Sequence, residues 1–401
     1  MTTAEPQGET LPLGALLALA MTGFLCIVTE TLPAGLLPEI GSGLGVSEAL
    51  AGQWVTVYAL GSLLAAIPLT IATQGWRRRT VLLLTIIGFL VFNTLTALSH
   101  DYALTLVARF FAGVSAGLAW SLIAGYARRM VVPKLQGRAL AVAMVGTPIA
   151  LSLGVPLGTW LGGVMGWRMA FGMMSGLTLV LIAWVVIKVP DYAGQPSSRR
   201  LPLRKVLFTP GVGSVLGVVV TWMLAHNILY TYIAPFVSTA GLGREVGQVL
   251  LVFGVAALSG IWITGRLVDR HLRTAVLASL AAFAGVAVAF GVFSGSATAI
   301  YAGVLVWGVS FGGAGTLLQT ALADAAGDGA DVALSLNVVV WNSAIAGGGL
   351  LGGVLLGQWG PGAFAWVIAA LMLISLAIAF RARAQGFPHG ERQGVAAIAA
   401  H

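Results

Sequence analysis

The sequence predicts an all-α membrane protein of twelve transmembrane helices in two pseudo-symmetric six-helix bundles, with N- and C-termini cytoplasmic. Three observations carry that prediction. Apolar stretches of bilayer-crossing length fill most of the chain, the basic residues collect in alternate gaps between them, and small-residue motifs of the first half return in the second.

Composition sets the class. Of 401 residues, 58% are hydrophobic and only 8% charged, against roughly a quarter charged in a soluble domain. A helix needs about 20 apolar residues to cross the hydrocarbon core. That rule places spans over 11–38, 48–74, 80–98, 102–130, 138–165 and 167–189. A second set follows over 208–239, 245–268, 274–293, 298–326, 331–358 and 361–381. Connections this short leave no room for a soluble catalytic domain.

Orientation follows from Lys and Arg, which accumulate in cytoplasmic loops. All but three of the 21 basic residues lie in gaps or tails assigned to one side. They are Arg77, Arg78, Arg79, Arg128, Arg129, Lys134, Arg138, Lys188, Arg199, Arg200, Arg204, Lys205, Arg266, Arg270, Arg273, Arg381, Arg383 and Arg392. Arg168 and Arg244 fall in opposite gaps, and Arg109 lies inside an apolar stretch. The formal net charge of +8 therefore points to anionic lipid headgroups and not to nucleic acid, because the cations flank the membrane without forming one face. Cys26 is the only cysteine, which excludes an intrachain disulfide and a thiolate metal site. The N-terminal tail carries Glu5 and Glu9 and has no basic leader or cleavage site, so the first span is expected to be retained.

The longest polar gap, Pro190 to Leu207, divides the chain. It sets expected domains of 1–189 and 208–383 around a cytoplasmic linker, 190–207, with a cytoplasmic tail over 384–401. Between the two domains the sequence repeats. Gly154, Gly158 and Gly162 return as Gly349, Gly353 and Gly357, and Gly113-Val114-Ser115 with Gly117 returns as Gly308-Val309-Ser310 with Gly312. Arg79-Thr80 returns as Arg273-Thr274 at nearly the same offset. Six spans per copy give both copies the same orientation. Such glycine stripes serve close helix packing, and they are also candidates for a moving seam between the domains.

These residues resemble the Major Facilitator Superfamily, in particular its proton-driven drug and sugar efflux branch. The resemblance covers nearly the whole chain. Gly265-Arg266-Leu267-Val268-Asp269-Arg270-His271-Leu272-Arg273 is similar to the family's G-x-L-x-D-R-x-G-R-R loop, with Leu272 at its second glycine. The first-half counterpart, Thr73-Gln74-Gly75-Trp76-Arg77-Arg78-Arg79, keeps the basic run but lacks the Asp, as in sugar-efflux permeases. Arg109-Phe110-Phe111-Ala112-Gly113 resembles the R-x-x-x-G element, and Gly154-Val155-Pro156-Leu157-Gly158 resembles the glycine-proline signature of antiporters. Gly166-Trp167-Arg168 with Phe171 resembles a family corner, and Thr29-Glu30-Thr31-Leu32-Pro33-Ala34-Gly35-Leu36-Leu37 resembles the first span of sugar and drug exporters. The resemblance implies the superfamily fold, no cofactor, a monomer and residence in the inner (plasma) membrane.

The polar residues inside the spans are the candidates for chemistry. A charge at the bilayer centre costs on the order of 3 kcal/mol, so such a group normally faces a wet cavity or a partner. Glu30 is the acid placed deepest in an apolar stretch and is expected to exchange a proton as the cavity alternates sides. The other reading is a structural Glu bonded to backbone freed by Pro33. Arg109 stays charged and either answers the charge of Glu30 or clamps neighbouring carbonyls; the resemblance associates it with proton coupling. His226 is a candidate proton relay, or simply a hydrogen-bonded core histidine.

Substrate should meet aromatic and amide groups near the midplane. His226 and Tyr230 are four apart, as are Asn227 and Thr231, and as are Asn337 and Trp341, with Asn342 beside them. Gln319, Trp54, Tyr58 and Trp120 complete the expected lining. Trp54 alternatively anchors at the interface, and the others alternatively bond helix to helix. Asp324, Asp328 and Asp331 form an inside gap, with Asp331 expected to cap a helix or the three to close a gate against Arg128, Arg129 or the linker.

The expected function is a proton-coupled antiporter exporting a small neutral or amphipathic solute, such as a sugar, a sugar analogue or a drug. A symporter or uniporter importing a nutrient is the alternative, because fold does not set direction. No H-E-x-x-H or G-x-S-x-G motif supports an enzyme. Gly312-Gly313-Ala314-Gly315 lies inside an apolar span without a P-loop Lys, which excludes it as an ATP loop.

Overall fold

The computed structural model describes residues 10–132, 135–194 and 203–388. Lys134, Arg199, Arg200, Arg392, most of the expected linker and the end of the tail lie outside them, as do the side chains of Asp269, Asp328 and Asp331.

Twelve described helices are long and apolar enough to cross a membrane. They are α1 Leu13–Gly35, α2 Glu48–Ala72, α3 Arg78–Leu98, α4 Tyr102–Arg129, α5 Arg138–Met165 and α6 Trp167–Lys188, then α7 Val212–Thr231, α8 Val246–Val268, α9 Arg270–Val292, α10 Ala297–Ala326, α11 Val332–Trp359 and α12 Ala363–Arg381. Eleven match an expected span to within four residues at each end, and α7 ends eight residues before its expected end. Side chains such as Leu98, Val164 and Ile187 stand fully out from the protein. A soluble chain would bury such a surface; a lipid-facing one has no reason to.

The described residues form two compact units, one of Met1–Val46 with Val57–Ser198, the other of Ser47–Thr56 with Arg199–His401. In the first, α1 packs on α4, α5 and α6, and α3 on α4 and α6. In the second, α7 packs on α11 and α12, and α8 and α9 pack on α10 and α12. The repeat is visible at helix ends. Asp101 caps α4 by accepting the Leu104 N–H, and Ser296, at the equivalent place, caps α10 by accepting the Ala299 N–H. The corners after α5 and α11 both turn on a glycine with positive φ, Gly166 at 90° and Gly360 at 74°, where a side chain would strain the backbone.

The breaks inside spans were less predictable. The first expected span, 11–38, leaves the α-helix after Thr31, passes through a 3-10 turn over Leu32–Gly35 and resumes as a short helix, Leu37–Leu44. Pro33 explains it, since its nitrogen cannot donate to the carbonyl of Thr29. The seventh, 208–239, breaks at Tyr232, three residues before Pro235, and continues as Ile233–Ser238. In α5 a π-helical turn over Ala150–Gly154 precedes Pro156; a π turn widens the helix where proline removes a donor. α10 divides at Gly313. The loop expected between α8 and α9 is reduced to a sharp break, where two helices abut at His271 with non-helical φ −129° and ψ 32°. The helix that carries α11 starts at Ala330 with Gly329 in the capping position, so Asp331 falls in the first turn and not at the cap position expected of it.

Candidate functional site

The first unit gathers its polar chemistry around the break in α1. Arg109, fully buried on α4, donates from Nη2 to the carbonyl of Thr29 at 2.6 Å. That is the carbonyl that Pro33 leaves without its helical donor. The Tyr58 hydroxyl of α2 donates to the carbonyl of Cys26 at 3.0 Å, and Asn93 Nδ2 of α3 donates to Thr29 Oγ1 at 3.1 Å. Donors from three helices thus converge on Cys26 and Thr29 of α1, two of them on backbone carbonyls. Arg109 lies over the Tyr58 ring at 4.8 Å and the Phe171 ring at 5.6 Å, so both aromatic faces share its charge.

Glu30 sits beside this group, 8% exposed. It lies close enough to Arg109 for their charges to act on one another. Yet no ion pair closes between Glu30 and Arg109; among the described residues Arg77 and Asp191 alone form one within 4.0 Å. Arg109 Nε and Nη1 are buried and donate to no described residue. The backbone freed by Pro33 is held by Arg109, not by Glu30.

Glycine makes this placement possible. A Cβ on Gly113 would strike the carbonyl of Tyr58, and one on Gly117 the carbonyl of Ser62. The R-x-x-x-G spacing therefore brings α4 against α2 one turn from Arg109. The second unit repeats the contact, with Gly308 against Phe253 and Gly312 against Ala257. At the same offset, however, Arg109 becomes Val304 and Ala112 becomes Trp307. Where one unit keeps a cation, the other keeps aromatic rings.

Those rings enclose His226. Phe311 stacks on it with centroids 3.5 Å apart and planes 1° from parallel. Tyr230 and Trp307 each lie 5.3 Å away, and Phe253 lies 5.8 Å away. His226 Nδ1 is buried without a hydrogen-bond partner among the described residues, so aromatic stacking, not a polar relay, surrounds the ring. Phe253, Trp307 and Phe311 were not anticipated. The four-residue spacing that linked His226 to Tyr230 also links Trp307 to Phe311 and was the available signal.

The rest of the expected lining is spread over both units. Asn227 spends its amide on the Met223 carbonyl at 2.8 Å, and Asn342 spends its own on Val338 at 2.9 Å. Gln319 is exposed, Trp341 and Trp120 are half-buried, and Trp54 is fully buried. Trp120 packs against the cluster of Cys26, Tyr58 and Phe89. Asn337 is buried with Oδ1 unpartnered. Gln53, not anticipated, donates to the Tyr232 hydroxyl at 3.1 Å and the Gly349 carbonyl at 3.2 Å.

The motif residues also have defined places. Gly154, Gly158 and Gly162 pack on Phe24, Val28, Leu32 and Leu36 of the first span and its extension, so this stripe serves contacts inside one unit. Pro156 opens the helix after the π turn. Gly265 and Arg270 are exposed; Arg266 covers Trp262 at 3.3 Å. Arg273 binds carbonyls at the end of α12.

The acid missing from the first-half loop is supplied from elsewhere. Asp191, just beyond α6, accepts from Arg77 Nε at 2.5 Å and from the Arg79 backbone N–H at 3.1 Å. The Arg78 backbone N–H donates to the Tyr192 carbonyl, and Tyr126 and Arg129 bind the carbonyls of Pro190 and Ala193. Burial pushes the Asp191 carboxyl up, but the hydrogen bonds from Arg77 and Arg79 and their charges outweigh it and hold its pKa below the usual value. A depressed carboxylate stabilises the fold above its unfolded value, near 3.9, and loses that contribution as pH falls through its folded value. Asp191→Asn is therefore expected to lower thermal stability in detergent at pH 7, by roughly 1 kcal/mol, with the gap to wild type closing near pH 2. A gap that persisted there would assign the loss to geometry and not to charge.

A polytopic fold of twelve helices, with ionisable groups held inside its spans, defines a membrane transporter rather than an enzyme. The family model of the Major Facilitator Superfamily matches residues 19–349. The chain belongs to that superfamily and is a multi-pass protein of the inner membrane. Curated relatives include the purine ribonucleoside efflux pump NepI of Escherichia coli O6:K15:H31, 30% identical over 356 residues, with 87% of this chain and 89% of that protein covered. NepI of Escherichia coli K12 is 29% identical over 352 residues at the same coverage. Among solved structures, a bacterial homologue of the human lysosomal transporter Spinster, inward-facing and occupied, aligns with TM-score 0.71 and 14% identity over 92% of this chain and 96% of that one. Its inward-facing, unoccupied form aligns with TM-score 0.67 over 95% and 97%; both show the shared fold.

Proposed function

We propose that this transporter is a proton-driven exporter of purine nucleosides that works by alternating access. The relation to purine ribonucleoside efflux pumps, across nearly nine-tenths of both chains, carries the substrate class. A ribonucleoside unites a hydroxylated sugar with a flat neutral base, so it falls within the small neutral or amphipathic solutes expected from the sequence. The ring cluster around His226 suits the base. Phe311 covers the face of His226 on which a base would stack, so binding exchanges one aromatic ring for another.

Glu30 is the proton carrier in this reading. The uncommitted Nε and Nη1 donors of Arg109 stand ready for its carboxylate, and protonation of Glu30 releases them. In inverted membrane vesicles, a radiolabelled purine ribonucleoside is expected to accumulate under a proton gradient acid inside, and a protonophore to abolish the accumulation. His226→Ala should raise KM about tenfold, the lower range of base stacking on an aromatic side chain, with free ribose unable to compete. Accumulation that ignored the protonophore would reject the coupling. Transport of other solutes but no nucleoside would reject the substrate class.

A further inference from the structure

We propose that the crevice between α9 and α12 is a binding site for an anionic phospholipid. Ala278, Ala281 and Ala377 hollow out a cavity of about 610 Å³ on this face of the second unit, within the range of roughly 300–1,000 Å³ typical of small-molecule sites. Leu373 and Phe380 on its rim are 57% and 63% exposed. Both helices cross the bilayer, so the medium that fills an apolar crevice on their outer face is an acyl chain.

The chemistry at one end selects the headgroup. Arg273 lines the crevice and is only 5% exposed. Its Nη1 donates to the carbonyls of Ala379 and Phe387 at 2.9 Å, and Nη2 to that of Phe380 at 3.0 Å. These bonds orient the guanidinium without neutralising it. Nε is buried and has no partner among the described residues, and no described carboxylate lies within 4.0 Å. Taking a charge out of water is costly unless an opposite charge answers it. The exposed Arg381 and Arg383 follow Phe380 directly, and Thr274 adds an exposed hydroxyl at the same end. A phosphodiester carrying net negative charge answers this set, with its acyl chain along Leu277 and Ala281. A zwitterionic headgroup brings its own cation into the same cluster.

The test is lipid retention. Full-length protein is reconstituted in vesicles of equal phosphatidylglycerol and phosphatidylethanolamine, extracted, and its bound lipid counted by native mass spectrometry. Wild type is expected to hold phosphatidylglycerol at about fivefold excess or more, the effect of one basic residue on an anionic headgroup. Ala281→Phe, which fills the crevice and leaves the cations in place, should lose the bound lipid. The surface double variant Arg381→Gln/Arg383→Gln should lose the preference while keeping the fold. Added phosphatidylglycerol should raise the Tm of wild type and of neither variant, and inorganic phosphate should raise none. Equal retention of the two lipids by wild type would overturn the proposal, as would unchanged retention in either variant. A phosphate response matching that of the lipid would overturn it too, by showing a simple anion site.

Discussion

Glu30→Gln is expected to abolish protonophore-sensitive export while leaving a folded protein of unchanged or higher Tm. Glutamine keeps the shape and most of the hydrogen-bonding capacity of the side chain but cannot carry a proton. At 8% exposure, the carboxylate form bears a desolvation cost that the amide escapes, so stability should not fall. The Arg109 bond to Thr29 does not depend on Glu30, and the α1 break stays clamped. Substrate exchange down its own gradient should survive, because that cycle needs no net proton movement. The measurement is paired: gradient-driven accumulation and counterflow in the same vesicles. Wild-type accumulation by the variant would remove Glu30 from the mechanism. Loss of both activities with an intact Tm would make Glu30 a substrate ligand instead of a proton carrier.

Gly113→Leu is expected to cause the largest loss of stability, with Gly125→Leu as the matched control on the same helix. Leucine is the better helix former at both positions. A Cβ at Gly125 meets nothing within 4 Å, whereas at Gly113 it runs into the backbone carbonyl of Tyr58. Overpacking costs typically about 1–3 kcal/mol, and here the obstacle is backbone, which cannot turn aside as a side chain does. Relief requires α4 to draw away from α2, separating Arg109 from the Tyr58 ring on which it lies. The variant should therefore show a sharply lowered Tm and, in any folded fraction, loss of proton-driven transport. Gly125→Leu should stay within about 0.5 kcal/mol of wild type. Equal behaviour of the two would mean that the α2–α4 approach is looser than the contact implies.

Much of the molecule was readable from its residues. Twelve spans, the two-fold repeat and the unusual position of Glu30 and Arg109 could all be found by counting apolar length and noticing which charges interrupt it. Other features escaped for physical reasons. Pro33 signalled a break, but hydropathy continues through the 3-10 turn, so the first span looked unbroken to residue 38. The Asp269 loop looked like an extended gap because it is charged; the chain instead turns from α8 to α9 at the single non-helical residue His271. Asn227 and Asn342 looked like substrate ligands because they are polar in apolar helices. In the structure each amide nitrogen donates to the carbonyl four residues back, a local bond that residue type alone does not announce.

Class, span number, internal repeat and the location of intramembrane charge follow from the chain alone, because lipid imposes one rule on every segment: satisfy the backbone locally and keep charge out unless something answers it. Partnership does not follow. That Arg109 takes the carbonyl vacated by Pro33, that Asp191 stands in for the acid absent from the Arg77–Arg79 loop, and that three unanticipated rings surround His226 became visible only in the packed helices. Those contacts join residues far apart in the chain. They depend on how each helix is rotated and where it is broken, and a pattern of apolar residues running around most of a lipid-bathed helix does not encode rotation.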